Sequence, residues 1–258
     1  MGKLVVGFFF ILLFSAFSMA TNQLKLVGNT VATLIDEKDQ PARLIDLVTA
    51  GFDKLEIEVT ATTQAWSGSG LRSGKFIGYI DHYSLNSQKT NYIYSLPYAK
   101  ISLHIASIDD SASAINRLDQ LAENRIGIER RFANTDILRV ERRVKWSRAD
   151  NFYENMLQIS EQRVNFILAD KIMLEEMNKL LIADGEKPLS LSPSSIIDVD
   201  VSVGLRSDGA NAQKLLDDFN QRITALKVNG KDQEIYYPAS TASSKLDPAV
   251  YNNILRKW

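Results

Sequence analysis

The sequence predicts an α/β fold. Short apolar segments rich in β-branched residues recur along the chain, amphipathic helical stretches alternate with them, and no internal repeat or low-complexity tract breaks the pattern. Such alternation favours mostly parallel sheets, because each helix carries the chain back before the next strand begins. The expected strands are "KLEIEVT" (54–60), "GYID" (78–81), "KISLHIA" (100–106), "RIGI" (125–128), "RVNFIL" (163–168) and "DVDVSVGL" (198–205). Helical patterns lie between and after them at 42–52, 111–122, 136–141, 150–160, 171–181 and 211–226. Several open on a Ser, Asp or Asn, such as Ser111, Asp136, Asp150 and Asn211, whose side chain can accept the free amide protons of a first turn. "EKPLSLSPSS" reads as a loop and "PASTASSKLDP" as a surface segment near the end.

At the N-terminus, Lys3 precedes the apolar run Leu4 to Phe17, and Ser18-Met19-Ala20 supplies small residues before Thr21. This is the pattern of a cleavable secretory leader, residues 1–20. The run is shorter than the roughly 20 apolar residues that span a bilayer, so an exported, soluble mature chain is expected, free in a periplasm-like compartment. The sequence has no cysteine, which excludes a disulfide framework, a thiolate metal site, a thiol nucleophile and a lipidated cysteine at the cleavage point. Its 45% hydrophobic and 24% charged residues are those of an ordinary globular protein. Loss of Lys3 with the leader leaves 29 basic against 31 acidic residues, a net charge of −2, which argues against nucleic acid as a partner.

Enzyme signatures fail on inspection. "GSGLRSGKF" has Ser69 where a phosphate loop needs glycine and Phe76 where it needs Ser or Thr. The chain has no nucleophile elbow, no His-rich zinc signature and no Asp-rich calcium loop. No catalytic residue, metal or cofactor is expected.

Two long stretches carry a family resemblance. "LRSGKFIGYIDHYSLNSQKTNYIYSLPY" (71–98) resembles the first-lobe signature of the bacterial extracellular solute-binding proteins of family 3, the amino-acid-binding type of ABC transporters. "IGIERRFANTD" (126–136) is similar to the family's strand-Arg-Gly-Tyr-Ser-Tyr-Gly-Asp turn, and "SEQRVNFILADKIML" (160–174) to its Gly-Arg-Val-Asp-Ala segment that ends on Asp. With "LKVNG" near the end, the likeness runs from Trp66 onward. It implies the periplasmic-binding-protein type II fold: two α/β lobes, two hinge crossings near Leu103–Ile105 and Val201–Gly204, and a ligand cleft between the lobes. Residues 21–103 and 203–258 would form lobe one, with a C-terminal extension, and 104–202 lobe two. Ligands of open α/β sheets sit beyond the strand carboxyl ends, where helix N-termini present free amides, and the 130–136 turn is such a place.

The resemblance implies a function: capture of a small polar solute, an amino acid or related zwitterion or anion, by hinge closure. The partner would be an inner-membrane ABC permease or, in the alternative, a membrane sensor, and the chain would act as a monomer. A dehydratase on the same fold is the enzymatic alternative. Asp170 stands where the family's aspartate meets an α-ammonium, and it is equally placed to cap a helix. Arg130 matches the family's arginine, whereas Arg131 replaces its usual glycine; both fit either a carboxylate clamp or a solvated basic face continued by Arg139, Arg142 and Arg143. Asn134 and Thr135 read as helix caps whose loop also meets the ligand, and Phe132 as a ring over the solute or in the core. In lobe one, Lys89 occupies the place of the carboxylate-clamping arginine, with a point charge instead of a fork. Ser84 and Asn86 match ligand-facing polar positions, Tyr83 and His82 stand where the family has smaller residues, and Trp66 either borders the cleft or packs on lobe one.

Overall fold

The computed structural model describes residues 23–35, 42–53, 55–133, 138, 142–237, 244, 246, 249 and 251–252. Ten strands are named among them: β1 (Leu24–Asn29), β2 (Ile57–Thr62), β3 (Gly78–Tyr83), β4 (Tyr92–Tyr94), β5 (Ala99–Ser107), β6 (Arg125–Glu129), β7 (Lys145–Ala149), β8 (Phe166–Asp170), β9 (Ser190–Leu191) and β10 (Ile197–Arg206). The helices are α1 (Arg43–Gly51), α2 (Gln64–Arg72), α3 (Phe152–Ser160), α4 (Lys171–Ala183), α5 (Ala212–Val228) and α6 (Lys231–Tyr236).

The strands form one sheet in the order β2-β1-β3-β10-β5-β8-β6-β7, with β4 on β10 and β9 on β5. Two parallel groups, β2-β1-β3 and β8-β6-β7, flank a central antiparallel pair, in which β10 runs antiparallel to β3 and β5 antiparallel to β8. The sheet is therefore mixed, where alternation alone predicts mostly parallel pairing. The reason is the pair of long crossing strands. β5 pairs β10 up to Leu103 and β8 from Leu103 onward, while β10 pairs β5 up to Val201 and β3 from Val201 onward. Each crossing strand thus belongs to both groups.

β3 and β8 are buried along their whole length, as expected of central strands covered on both faces. Edge strand β2 has no buried residue, and its Glu58 is exposed. The hydrophobic core is continuous from Leu26 and Phe52 to Phe152 and Leu168. Helix α1 meets α5 through Phe52 and Phe219, whose ring centroids are 4.5 Å apart. Gly51 permits that approach, since a Cβ there would lie 2.3 Å from Cε2 of Phe219.

The helix expected over 111–122 is instead two 3₁₀ turns, Asp110–Ala114 and Leu118–Leu121. Side chains capture its amides: Asp109 accepts from Ser111 N, and Ser107 Oγ accepts from Ala112 N at 3.0 Å. The helix expected over 136–141 lies outside the described residues apart from Leu138. α3 and α4 begin at real caps, since Asn151 accepts from Glu154 N and Asp170 from Ile172 N, both at 2.9 Å.

Gly51→Ala tests the α1–α5 contact. The added methyl should overpack Phe219 at a cost of about 1–3 kcal/mol, more than the helix-propensity gain of up to about 1 kcal/mol. A lower urea midpoint at constant m-value is expected; an unchanged or higher midpoint would show that the ring can move aside.

Candidate functional site

The crossings bring the carboxyl ends of three strands together. Tyr83, the last residue of β3, pairs with Val201, and Asp170, the last of β8, pairs with Leu103. β6 lies parallel to β8 and ends on Glu129. In open α/β sheets this is the end where ligands bind.

Glu129 organises the chemistry. Its side chain is 3% exposed, and a carboxylate buried that far requires a partner. Arg131, two residues on, supplies it with a two-point contact: Nε donates to Oε2 at 3.0 Å and Nη2 to Oε1 at 3.1 Å. The same guanidinium donates from Nη1 to the Tyr83 hydroxyl at 3.3 Å, which links the two strand groups. Its carbon lies 4.2 Å from the Phe132 ring centroid, and Phe132 in turn meets Tyr83 edge-on at 5.5 Å. Burial opposes charge on Arg131, but Glu129 outweighs it and holds the guanidinium protonated. Tyr83 is pushed up to about 12 by burial against the pull of Arg131.

Asp170 is 1% exposed. Oδ1 caps α4, whereas Oδ2 is buried with no hydrogen-bond partner among the described residues. Burial pushes this carboxyl up to about 6, with the charge of Arg131 and the Ile172 amide pulling the other way. The Tyr236 hydroxyl from α6 is likewise buried and unpartnered among the described residues. Burial and the nearby charge of Asp170 raise its pKa. A second ionic contact joins α1 to α4, where Arg43 Nη2 stands 3.8 Å from Glu176 Oε1 with both side chains under a tenth exposed. Arg43 Nη1 also donates to Thr33 O at 3.1 Å.

The β3 wall carries one more acid. Asp81 Oδ2 accepts from Asn29 N at 3.0 Å and Nδ2 at 2.7 Å, and Ser67 Oγ donates to Asn29 Oδ1 at 2.8 Å. Burial raises the Asp81 pKa against these hydrogen bonds and the charge of Arg131. The site is therefore acid-rich, with Asp81, Glu129 and Asp170 around Arg131.

The expected residues distribute unevenly. Asp170, Tyr83 and Phe132 meet in this cluster. Arg130 does not: it is 56% exposed, and its Nε donates to Asp150 Oδ1 at 2.7 Å. The two arginines sit on a single 3₁₀ turn, where successive side chains diverge by about 120°, so only one can turn inward to Glu129. Of the two readings open for Arg130, the exposed ion-paired one describes its side chain here, and it is Arg131, at the substituted position, that joins the cluster with Glu129. Lys89 also lies elsewhere, its Nζ 5.1 Å from the Tyr79 ring and 5.6 Å from Tyr92. Ser84 splices the end of β3 to β10, its Oγ accepting from Asp200 N at 3.0 Å and its N donating to Asp200 O at 2.8 Å. Asn86 closes a turn onto Tyr83 O. Trp66 is 73% exposed at the start of α2. His82 packs on Tyr94 at 4.2 Å, and His104 on Ser192. Asn134 and Thr135 fall outside the described residues. Glu129, Asp81, Arg43 and Tyr236 were missed; a lone acid ending the apolar strand "RIGIE" was the available signal for Glu129.

No protein-family model matches the chain, and no curated protein matches it by sequence. Solved structures do match by fold. The GluR0 ligand-binding core in complex with L-glutamate superimposes with a TM-score of 0.66 at 11% identity, over 84% of this chain and 97% of that one. An arginine-binding protein, ArgBP of T. maritima, gives 0.62 at 16% identity over 82% and 93%. The VFT2 domain of Bordetella pertussis BvgS gives 0.65 at 16% identity over 83% and 91%. The fold is the two-lobed periplasmic-binding type II fold.

Asp170 makes stability depend on pH with a definite sign. Its folded pKa lies above the unfolded value of 3.8, so the folded chain keeps a proton that the unfolded chain has lost. That contribution is complete below about pH 4 and disappears as pH rises through about 6, a change on the order of 3 kcal/mol. Asp170→Asn retains the cap and cannot titrate. Its stability relative to wild type should rise by about that amount between pH 4 and pH 8 in urea titrations; a pH-independent difference would show that Asp170 ionises freely in the fold.

Proposed function

We propose that this chain is an exported ligand-binding module that captures a small amino-acid-like zwitterion between two lobes. Residues 21–103 with 203–258 form one lobe and 104–202 the other, with β5 and β10 as the hinge. The observation that carries this reading is Asp170 Oδ2, a buried carboxylate oxygen with no partner among the described residues, beside a guanidinium shared between the two walls. An ammonium group fits Oδ2 and the Tyr236 hydroxyl. Arg131, released from Tyr83 while its Nε still holds Glu129, offers the rest of its fork to a carboxylate. A solute bridging the walls favours the closed arrangement by the contacts it makes only there. The closed surface then docks on an inner-membrane permease for uptake, with signalling to a membrane sensor as the alternative output. The leader expected at 1–20 supports a periplasmic setting.

An enzymatic reading has one observation in its favour: a buried carboxyl near pKa 6 is poised for proton transfer, and one fold neighbour is an ancestral amino-acid-binding protein described as a precursor of cyclohexadienyl dehydratase. Binding is preferred because Arg131 is held protonated by its two-point contact with Glu129, an arrangement that suits holding an anion more than moving a proton.

A thermal-shift screen of the mature chain against the common amino acids tests the proposal. A true ligand at about 100 times its Kd adds about 2.7 kcal/mol of stability. Asp170→Asn should weaken the hit at least about tenfold, and Arg131→Lys, which keeps a cation against Glu129 but loses the planar fork, should weaken it too. Undiminished binding by Asp170→Asn, or no response to any zwitterion, would overturn the reading; turnover of the bound compound would favour the dehydratase.

A further inference from the structure

Lys89, which the interlobe site leaves out, lines a different cavity. This groove of about 390 Å³ lies on the first parallel group, between α2, the β3–β4 connection and the end of β10. Its walls carry Arg72, Lys89, Arg206, Asn91 and Tyr92, and Gly68 contributes to its lining. The groove is remote from the cluster at Tyr83. Leu205, next to Arg206, pairs with Gly78 at the opposite end of β3, five residues or roughly 17 Å away.

Three cations from three elements converge there against one carboxylate. Arg206 holds Asp208 through two contacts, Nε to Oδ1 at 2.9 Å and Nη2 to Oδ2 at 2.6 Å. Neither Arg72 nor Lys89 has an acidic partner among the described residues. Lys89 is held over the faces of Tyr79 and Tyr92, which fix an ammonium without neutralising it. The Tyr94 hydroxyl accepts from Lys89 N at 2.8 Å and shares a 2.9 Å hydrogen bond with Tyr79, so the backbone beneath this lysine is anchored as well. Arg72 Nη1 reaches to 3.4 Å from where a Cβ of Gly68 would stand, so the guanidinium lies over a bare stretch of α2. Gathering like charges in a concavity costs energy, and an anion seated among them recovers it.

We propose that this groove is a second binding site, for a compact multivalent oxyanion of the polycarboxylate or phosphate-ester type. The volume suits a small molecule. A guanidinium at Arg72 takes an oxyanion in two-point fashion, Lys89 adds a point charge, and Arg206 contributes once it shares its fork with the ligand instead of Asp208. The site is distinct from the interlobe cluster, whose excess of acids suits an ammonium.

Calorimetric titration of the mature chain at low ionic strength tests this, with citrate and pyrophosphate as probes and chloride at matched ionic strength as control. Saturable one-to-one binding of either probe is expected, and which of them binds more tightly separates carboxylate from phosphate chemistry. Arg72→Gln and Lys89→Met, both at exposed positions, should each weaken it roughly tenfold. Asp208→Asn should strengthen it by freeing Arg206, a gain that a merely damaged fold would not give, and Asp170→Asn should leave it unchanged. Equal effects of probe and chloride, insensitivity to Arg72→Gln and Lys89→Met, or binding of a hexa-aspartate peptide but of neither small anion would overturn the proposal.

Discussion

The buried Glu129–Arg131 pair determines the arrangement around it. Glu129 ends β6 with its side chain almost wholly inside, and removing one member of such a pair typically costs about 3–5 kcal/mol because the survivor is left charged and unpaired. The short turn after the strand must therefore direct Arg131 inward. Once it does, the same turn directs Arg130 outward to Asp150 and seats Phe132 beneath the guanidinium. The Tyr83 hydroxyl then meets the remaining Nη1, so that the Arg131 side chain links the two strand groups.

That joint is asymmetric in strength. The contact to Glu129 is two-pointed and short, whereas the one to Tyr83 is a single hydrogen bond at 3.3 Å, and the other ionic contact across the groups, Arg43 to Glu176, spans 3.8 Å. Separation of the groups would break the weak links first and leave the buried pair intact in its own group. Hydrogen bonds involving a charged group contribute about 1.5–3 kcal/mol each, which is the scale of the link that such a separation would break. The crossing strands β5 and β10 fit such a motion because each is hydrogen-bonded into both groups, so neither group can detach while they reorient.

Much of the fold was legible because its central strands are written in apolar, β-branched residues: 100–106, 125–128 and 198–205 fall within β5, β6 and β10. What escaped had weak local signals. α2, "QAWSGSGLR", carries two glycines in nine residues and reads as a loop by propensity. β7, "KWSRA", is polar because it lies at the sheet edge. Pairing direction was beyond reach, since a crossing strand looks locally like any other. In the cluster, the helix cap at Asp170 was readable from its place at a strand end. The choice between Arg130 and Arg131 was not, because it depends on a 3₁₀ rotation and on the burial of Glu129, both tertiary facts. The surroundings of Lys89 were hidden for a related reason: its ammonium lies over the rings of Tyr79 and Tyr92, which sequence spacing does not bring together.

Charge is distributed unevenly along β3, and the two ends of this one strand carry opposite signs. At its carboxyl end, Asp81 faces a region shared with Glu129 and Asp170, three acids around one arginine. At its amino end, Arg72, Lys89 and Arg206 surround a groove with one acid among them. A chain with a net charge of −1 has no overall bias that would produce such segregation. Each end carries its own cost, desolvation for the buried acids, met in part by Arg131 and Asn29, and mutual repulsion for the clustered bases, met in part by Asp208. The two proposed sites rest on this segregation, since an excess of acids suits an ammonium and a cluster of bases suits an oxyanion.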